Sequence, residues 1–95
     1  MKYDEKKSVK INAYGRVQGV GFRYSTIKVA QQFEISGWVK NAWDGSVEIQ
    51  ATGSPQNLNK FIQVIKESPT PYGKVTKTII NYIPNQKIKG FNVKY

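Results

Sequence analysis

Apolar and polar residues alternate along three segments of the chain: Ser8–Tyr14, Val47–Thr52 and Phe91–Tyr95. Period two indicates a strand with one buried face, because successive side chains of a strand point to opposite sides of the sheet. Two further stretches that contain apolar residues, at Trp38–Asn41 and Val75–Ile83, indicate two more strands. The pattern therefore predicts five strands.

Two segments show helical spacing instead. In the first, apolar residues recur every three or four positions from Phe22 to Phe33. The second begins at Ser54 and Pro55, an N-cap residue followed by proline at the first helical position, and it ends at Ser68–Pro71. Its apolar residues form one stripe, which predicts a buried helix face; they are Leu58, Phe61, Ile62 and Ile65.

The predicted order is β-α-β-β-α-β with a short strand at the end, and Trp43-Asp44-Gly45 predicts the hairpin between the second and third strands. Two right-handed crossovers would place both helices on one face of an antiparallel sheet. The predicted fold class is therefore α+β, a ferredoxin-like two-layer α/β sandwich. We expect one domain over residues 8–95 and a flexible polar tail at residues 1–7. Many unrelated functions share this fold, so function has to be argued from the site.

Composition restricts the possible chemistry. The 95 residues include no His and no Cys, so the commonest general base and the thiolate nucleophile are both excluded. A chain without Cys is compatible with a reducing cytosol. The first ten residues, MKYDEKKSVK, lack the apolar core of a signal peptide, and no apolar run has the length of a membrane span. We therefore expect a cytoplasmic protein without membrane contact.

The charge is strongly unbalanced. Fifteen Lys and Arg stand against six Asp and Glu, which gives a net charge of +9, and no acidic residue follows Glu67. Such a surface attracts anions, from small phosphates to nucleic acids. The alternative is a solvated basic face that has no partner.

The glycine-rich segment Gly15–Arg23, GRVQGVGFR, is the candidate for chemistry. Its three glycines predict an irregular loop, neither strand nor helix interior, in which successive N–H groups can point into one anion-binding concavity. The predicted helix adds the positive end of its dipole at the same place, and Arg23 can bind two phosphate oxygens. The alternative is an ordinary turn with Arg23 in solvent. No Walker A sequence is present.

This segment resembles the phosphate-binding loop of the acylphosphatases, and Gly37–Asn41 with Asp44–Glu48 resembles the second signature of that family. The resemblance extends over nearly the whole chain. It implies that Arg23 binds the phosphoryl group and that Asn41 orients the attacking water. The backbone amides that the resemblance assigns to the phosphate cradle are those of Gln18, Gly19, Val20, Gly21, Phe22 and Arg23.

The activity implied by the resemblance is hydrolysis of the carboxyl–phosphate bond of small-molecule acyl phosphates. A carboxylate leaves without a proton from an acid, and phosphoryl transfer depends mainly on positioning and charge stabilisation. Direct attack by water therefore needs neither His nor Cys. Asp44 with Glu48 is too sparse a set for a metal site. We expect a metal-independent, monomeric enzyme without a cofactor.

RNA-binding modules use the same order of elements and stack bases on aromatic side chains of their central strands. Here the first strand offers Tyr14, the third strand offers no aromatic residue, and the signature of those modules is absent. We therefore expect at most weak, non-specific binding to nucleic acids. A domain that has kept the fold and lost its activity is a third hypothesis, which the presence of both Arg23 and Asn41 disfavours.

Overall fold

A computed structural model describes residues 5–95. Residues 1–4 of the predicted tail lie outside this range, and the first strand begins at Lys7, within the segment predicted as tail. The elements in chain order are β1 (Lys7–Arg16), α1 (Phe22–Gln32), β2 (Ser36–Asn41), β3 (Val47–Gly53), α2 (Pro55–Glu67), β4 (Lys74–Ile83) and β5 (Phe91–Val93). The predicted ferredoxin-like α+β fold, with two helices packed on one sheet, is confirmed.

The sheet has the strand order β4-β1-β3-β2-β5. Strand β1 pairs antiparallel with both β3 and β4, and β2 pairs antiparallel with β3. The prediction of an antiparallel sheet needs one correction, because β5 pairs with β2 in parallel and the sheet is mixed. Strand β4 lies at one edge of the sheet. The chain then crosses to the opposite edge, where β5 runs parallel to β2. Hydrogen bonds from Gly37 N to Gly90 O (2.9 Å) and from Lys94 N to Val39 O (2.9 Å) fix this pairing.

The core lies between the helices and one face of the sheet. The alternating residues Val9, Ile11 and Ala13 of β1 are fully buried, as the pattern predicts, and the apolar stripe of α2 is buried as well. The rings of Phe61 and Phe91 pack 6.0 Å apart, which connects α2 to the last strand. No helix within residues 5–95 combines the length and the apolar composition needed to cross a membrane.

Gly15 differs from its predicted place in an irregular loop. Strand β1 continues to Arg16, with a register shift against β4 between Tyr14 and Gly15. Gly15 has φ +127°, and a Cβ at this position would collide with the carbonyl oxygen of Lys74. A glycine in a strand can mark a β-bulge or a close approach of a second backbone, and Gly15 does both.

Candidate active site

The loop between β1 and α1 turns on two glycines. Gly19 and Gly21 have φ near +78° and +80°, a region that glycine enters without steric cost. Gly21 is the N-cap of α1, and the first helical hydrogen bond runs from Ser25 N to Gly21 O (3.0 Å). The N–H groups of residues 22–24 therefore have no partner inside the helix. The start of α1 thus offers unpaired donors together with the positive end of the helix dipole.

A cavity of about 230 Å³ opens at this helix terminus. Arg23, from the first turn of α1, and Asn41, the last residue of β2, both line it. Three further residues of the predicted cradle line it as well, namely Gly19, Gly21 and Phe22. Gln18 and Val20 are not among the lining residues. The structure therefore brings together the two side chains to which the motifs point, although they come from different elements.

The remaining walls are apolar or aromatic and did not figure among the predicted site residues. They are Val17, Tyr24, Ile27, Val93 and Tyr95. The guanidinium carbon of Arg23 lies 5.8 Å from the centre of the Tyr95 ring, within cation–π range. Alternation along the last segment places Val93 and Tyr95 on one side of a strand, but nothing in that pattern says that the strand lies beside β2.

The charge in the lining of the cavity is positive. Arg23 is the basic residue of its lining, and no Asp or Glu is among the lining residues. A phosphoryl group placed there would face a guanidinium and free helix N–H groups without a nearby carboxylate in the wall. Within residues 5–95 no group of three or more His, Cys, Asp or Glu side chains is arranged to hold a metal ion. The cavity can therefore bind an oxyanion through hydrogen-bond donors.

The hairpin that follows Asn41 is held by a dense set of hydrogen bonds. Ala42 N donates to Ser46 O (2.8 Å), and Gly45 N donates to Ala42 O (3.1 Å). Asp44 Oδ1 accepts from the Ser46 hydroxyl (2.7 Å) and from Ser46 N (3.0 Å). These two hydrogen bonds, the side-chain one first, lower the pKa of the Asp44 carboxyl. The predicted turn is confirmed, and it fixes the backbone directly after Asn41.

The loop is tied to its surroundings at the two residues that do not line the cavity. The Gln18 side chain donates from Nε2 to Ala42 O (2.7 Å) and to Ser46 O (2.8 Å). The carbonyl oxygen of Val20 accepts from the Thr70 hydroxyl (3.2 Å), in the segment between α2 and β4. Sequence reasoning singled out the backbone of Gln18 and Val20 and did not predict these anchors.

The chain matches the family model described as Acylphosphatase over residues 9–93. A protein named acylphosphatase from Pediococcus pentosaceus is 46% identical over 89 residues, which are 94% of this chain and 99% of that protein. One from Listeria monocytogenes is 49% identical over 82 residues, 85% of this chain and 88% of that protein. The crystal structure of acylphosphatase from Bacillus subtilis superposes with a TM-score of 0.89 at 37% identity, covering 94% of this chain and 99% of that one. This chain belongs to the acylphosphatase family of hydrolases.

Proposed function

We propose that this protein hydrolyses the carboxyl–phosphate bond of acyl phosphates, releasing a carboxylate and inorganic phosphate. The observation that carries the proposal is that Arg23 and Asn41 line one cavity at the N-terminus of α1. Hydrogen-bond donors that can bind a phosphoryl group thus lie in the same cavity as an amide side chain that can orient a water molecule. We expect the protein to act as a cytoplasmic monomer on small-molecule substrates.

In the proposed mechanism the loop and the helix start hold the phosphoryl group. The N–H groups of residues 18–23 and the guanidinium of Arg23 donate to its non-bridging oxygens. Negative charge on these oxygens is present in the substrate and is redistributed in the transition state. Donors that are already in place stabilise that charge without reorganising during the reaction.

Asn41 would orient the nucleophile. Its side-chain carbonyl oxygen accepts a hydrogen bond from a water molecule and aligns it opposite the leaving carboxylate. The water oxygen forms the new bond to phosphorus, the bond from phosphorus to the acyl oxygen breaks, and the carboxylate keeps the electron pair. An amide is not a base at neutral pH, so the proton of the water passes to a phosphate oxygen of the substrate. No step in this sequence needs a metal ion.

The first test is release of inorganic phosphate from acetyl phosphate and from benzoyl phosphate, measured in EDTA. We expect wild-type protein to be active and Arg23→Ala to lose about 10²–10³-fold in kcat, because removing one such donor costs roughly 2.7–4 kcal/mol. Lys60→Ala is the control, since Lys60 is an exposed cation on α2 and is not a lining residue. A folded wild-type protein without activity, or equal losses in both variants, would contradict the proposal.

A further inference from the structure

The side chain of Gln18 turns away from the phosphate loop towards the hairpin after β2. It is partly buried, and its single NH₂ group donates both of its protons, one to Ala42 O and one to Ser46 O. Ser46 O also accepts from Ala42 N, the hydrogen bond that closes the hairpin. The Gln18 amide therefore binds at the closing point of the hairpin.

Asn41 is held relative to β1 through its backbone rather than through its side chain. It is exposed, and its side chain makes no hydrogen bond to another of residues 5–95. Its backbone ends β2 and pairs with Val47 of β3, which in turn pairs with Ala13 of β1. Within the described part of the chain, the two hydrogen bonds of Gln18 are the ones that join loop 17–21 to hairpin 42–46.

We infer that Gln18 is a positioning residue for hydrolysis: its side chain sets the distance between the phosphate loop and Asn41. This inference rests on the proposed function, because it concerns how the held phosphoryl group and the oriented water are aligned. A side chain with two donors and the length of glutamine is required. A methionine of similar length has no donor, and a glutamate offers lone pairs to two carbonyl oxygens that are themselves acceptors.

The proposal predicts a loss in turnover that exceeds any loss in phosphate binding. Misalignment of about 1 Å can cost roughly 100-fold in rate, so we expect Gln18→Met and Gln18→Glu to lower kcat about 10- to 100-fold. Competitive inhibition by inorganic phosphate reports binding to the loop, and its constant should change less than threefold. Gln63→Met is the matched control, since Gln63 is an exposed glutamine on α2.

The glutamate variant also provides a pH signature that loss of packing does not produce. An ionised carboxylate facing two carbonyl oxygens is disfavoured, so the pKa of the introduced group should lie above about 4.3, the usual value for glutamate. Once protonated, the carboxyl can donate to one of the two carbonyls. The ratio of variant to wild-type kcat should therefore rise as the pH falls through that pKa, whereas the ratio for Gln18→Met should stay flat.

The outcomes separate the two proposals. Wild-type protein that releases no phosphate would overturn the proposed function itself. Active wild type would overturn the role of Gln18 if the folded variants kept full kcat, or if kcat and the phosphate inhibition constant worsened by the same factor. A flat pH ratio for Gln18→Glu would overturn it as well. Should Gln18→Glu fail to fold in a urea titration, the Gln18→Met comparison of kcat with phosphate inhibition decides alone.

Discussion

Arg23 and Asn41 are held in the cavity by different means. Arg23 belongs to the first turn of α1 and is partly buried, with its guanidinium near the Tyr95 ring. Asn41 is exposed at the end of a strand and relies on the backbone around it. A residue that orients water needs a side-chain amide that is available to form a hydrogen bond with a water molecule in the cavity. In the proposed mechanism, the role of Asn41 is therefore separable from phosphate binding.

Asn41→Ala should lower kcat by about 10²-fold or more, because the water loses its alignment with the leaving group. Competitive inhibition by inorganic phosphate should stay within twofold of wild type, since Arg23 and the loop are untouched. The measurements are steady-state kinetics with benzoyl phosphate and inhibition by phosphate. Asn59→Ala, on the exposed side of α2, is the control and should keep wild-type kinetics. Retention of most of the activity in Asn41→Ala would remove Asn41 from the mechanism.

Individual residues of the site were predictable to different degrees. Arg23 and Asn41 follow from motifs, and the structure places both in one cavity. The anchoring contact of Gln18 was not predictable, because its acceptors are carbonyl groups of a hairpin distant along the chain. Backbone acceptors carry no residue identity, so the sequence of the hairpin contains no sign of them.

The secondary-structure elements follow closely from local patterns. Helix α2 is the clearest case: Ser54 accepts from Asn57 N through its hydroxyl (3.2 Å), Pro55 is the first helical residue, and the apolar stripe faces the core. The pairing of β5 was not predictable in the same way. Alternation shows that a segment is extended, but the neighbour of an edge strand depends on long-range packing such as that of Phe91 on Phe61.

Ser54→Ala should destabilise the protein by about 0.5–2 kcal/mol, since the hydroxyl is the side-chain acceptor at the N-terminus of α2. The measurement is urea denaturation followed by circular dichroism. Gln56→Ala changes an exposed residue of the same first turn and should stay within about 0.5 kcal/mol of wild type. Equal stability of wild type and Ser54→Ala would show that the cap contributes nothing in this fold.

The molecule as a whole carries a net charge of +9, whereas Arg23 is the one basic residue in the lining of the cavity. Most of the excess positive charge therefore lies outside the lining of the cavity. Lys60 and Lys66 are exposed on α2, do not line the cavity and belong to this general field. A positive field raises the local concentration of an anionic substrate without contributing to the chemical step.

Raising the ionic strength from about 0.01 to 0.15 M shortens the Debye length from about 30 to 8 Å. We expect KM for acetyl phosphate to rise, by up to about tenfold, while kcat stays constant. A variant with Lys60 and Lys66 both changed to Gln should show a weaker salt response and an unchanged kcat. A kcat that falls with salt would place the charge effect in the chemical step. Weak binding to an oligonucleotide should disappear over the same range of salt.

Strand β5 has a consequence for biosynthesis. Arg23 and Asn41 are translated before Val93 and Tyr95 of the cavity wall, which reach their place through the parallel pairing of β5 with β2. A nascent polypeptide that has emerged only as far as β4 carries Arg23 and Asn41 without the finished pocket. Under the proposed function, hydrolysis of substrate during refolding should accordingly recover no earlier than the pairing of β5 with β2.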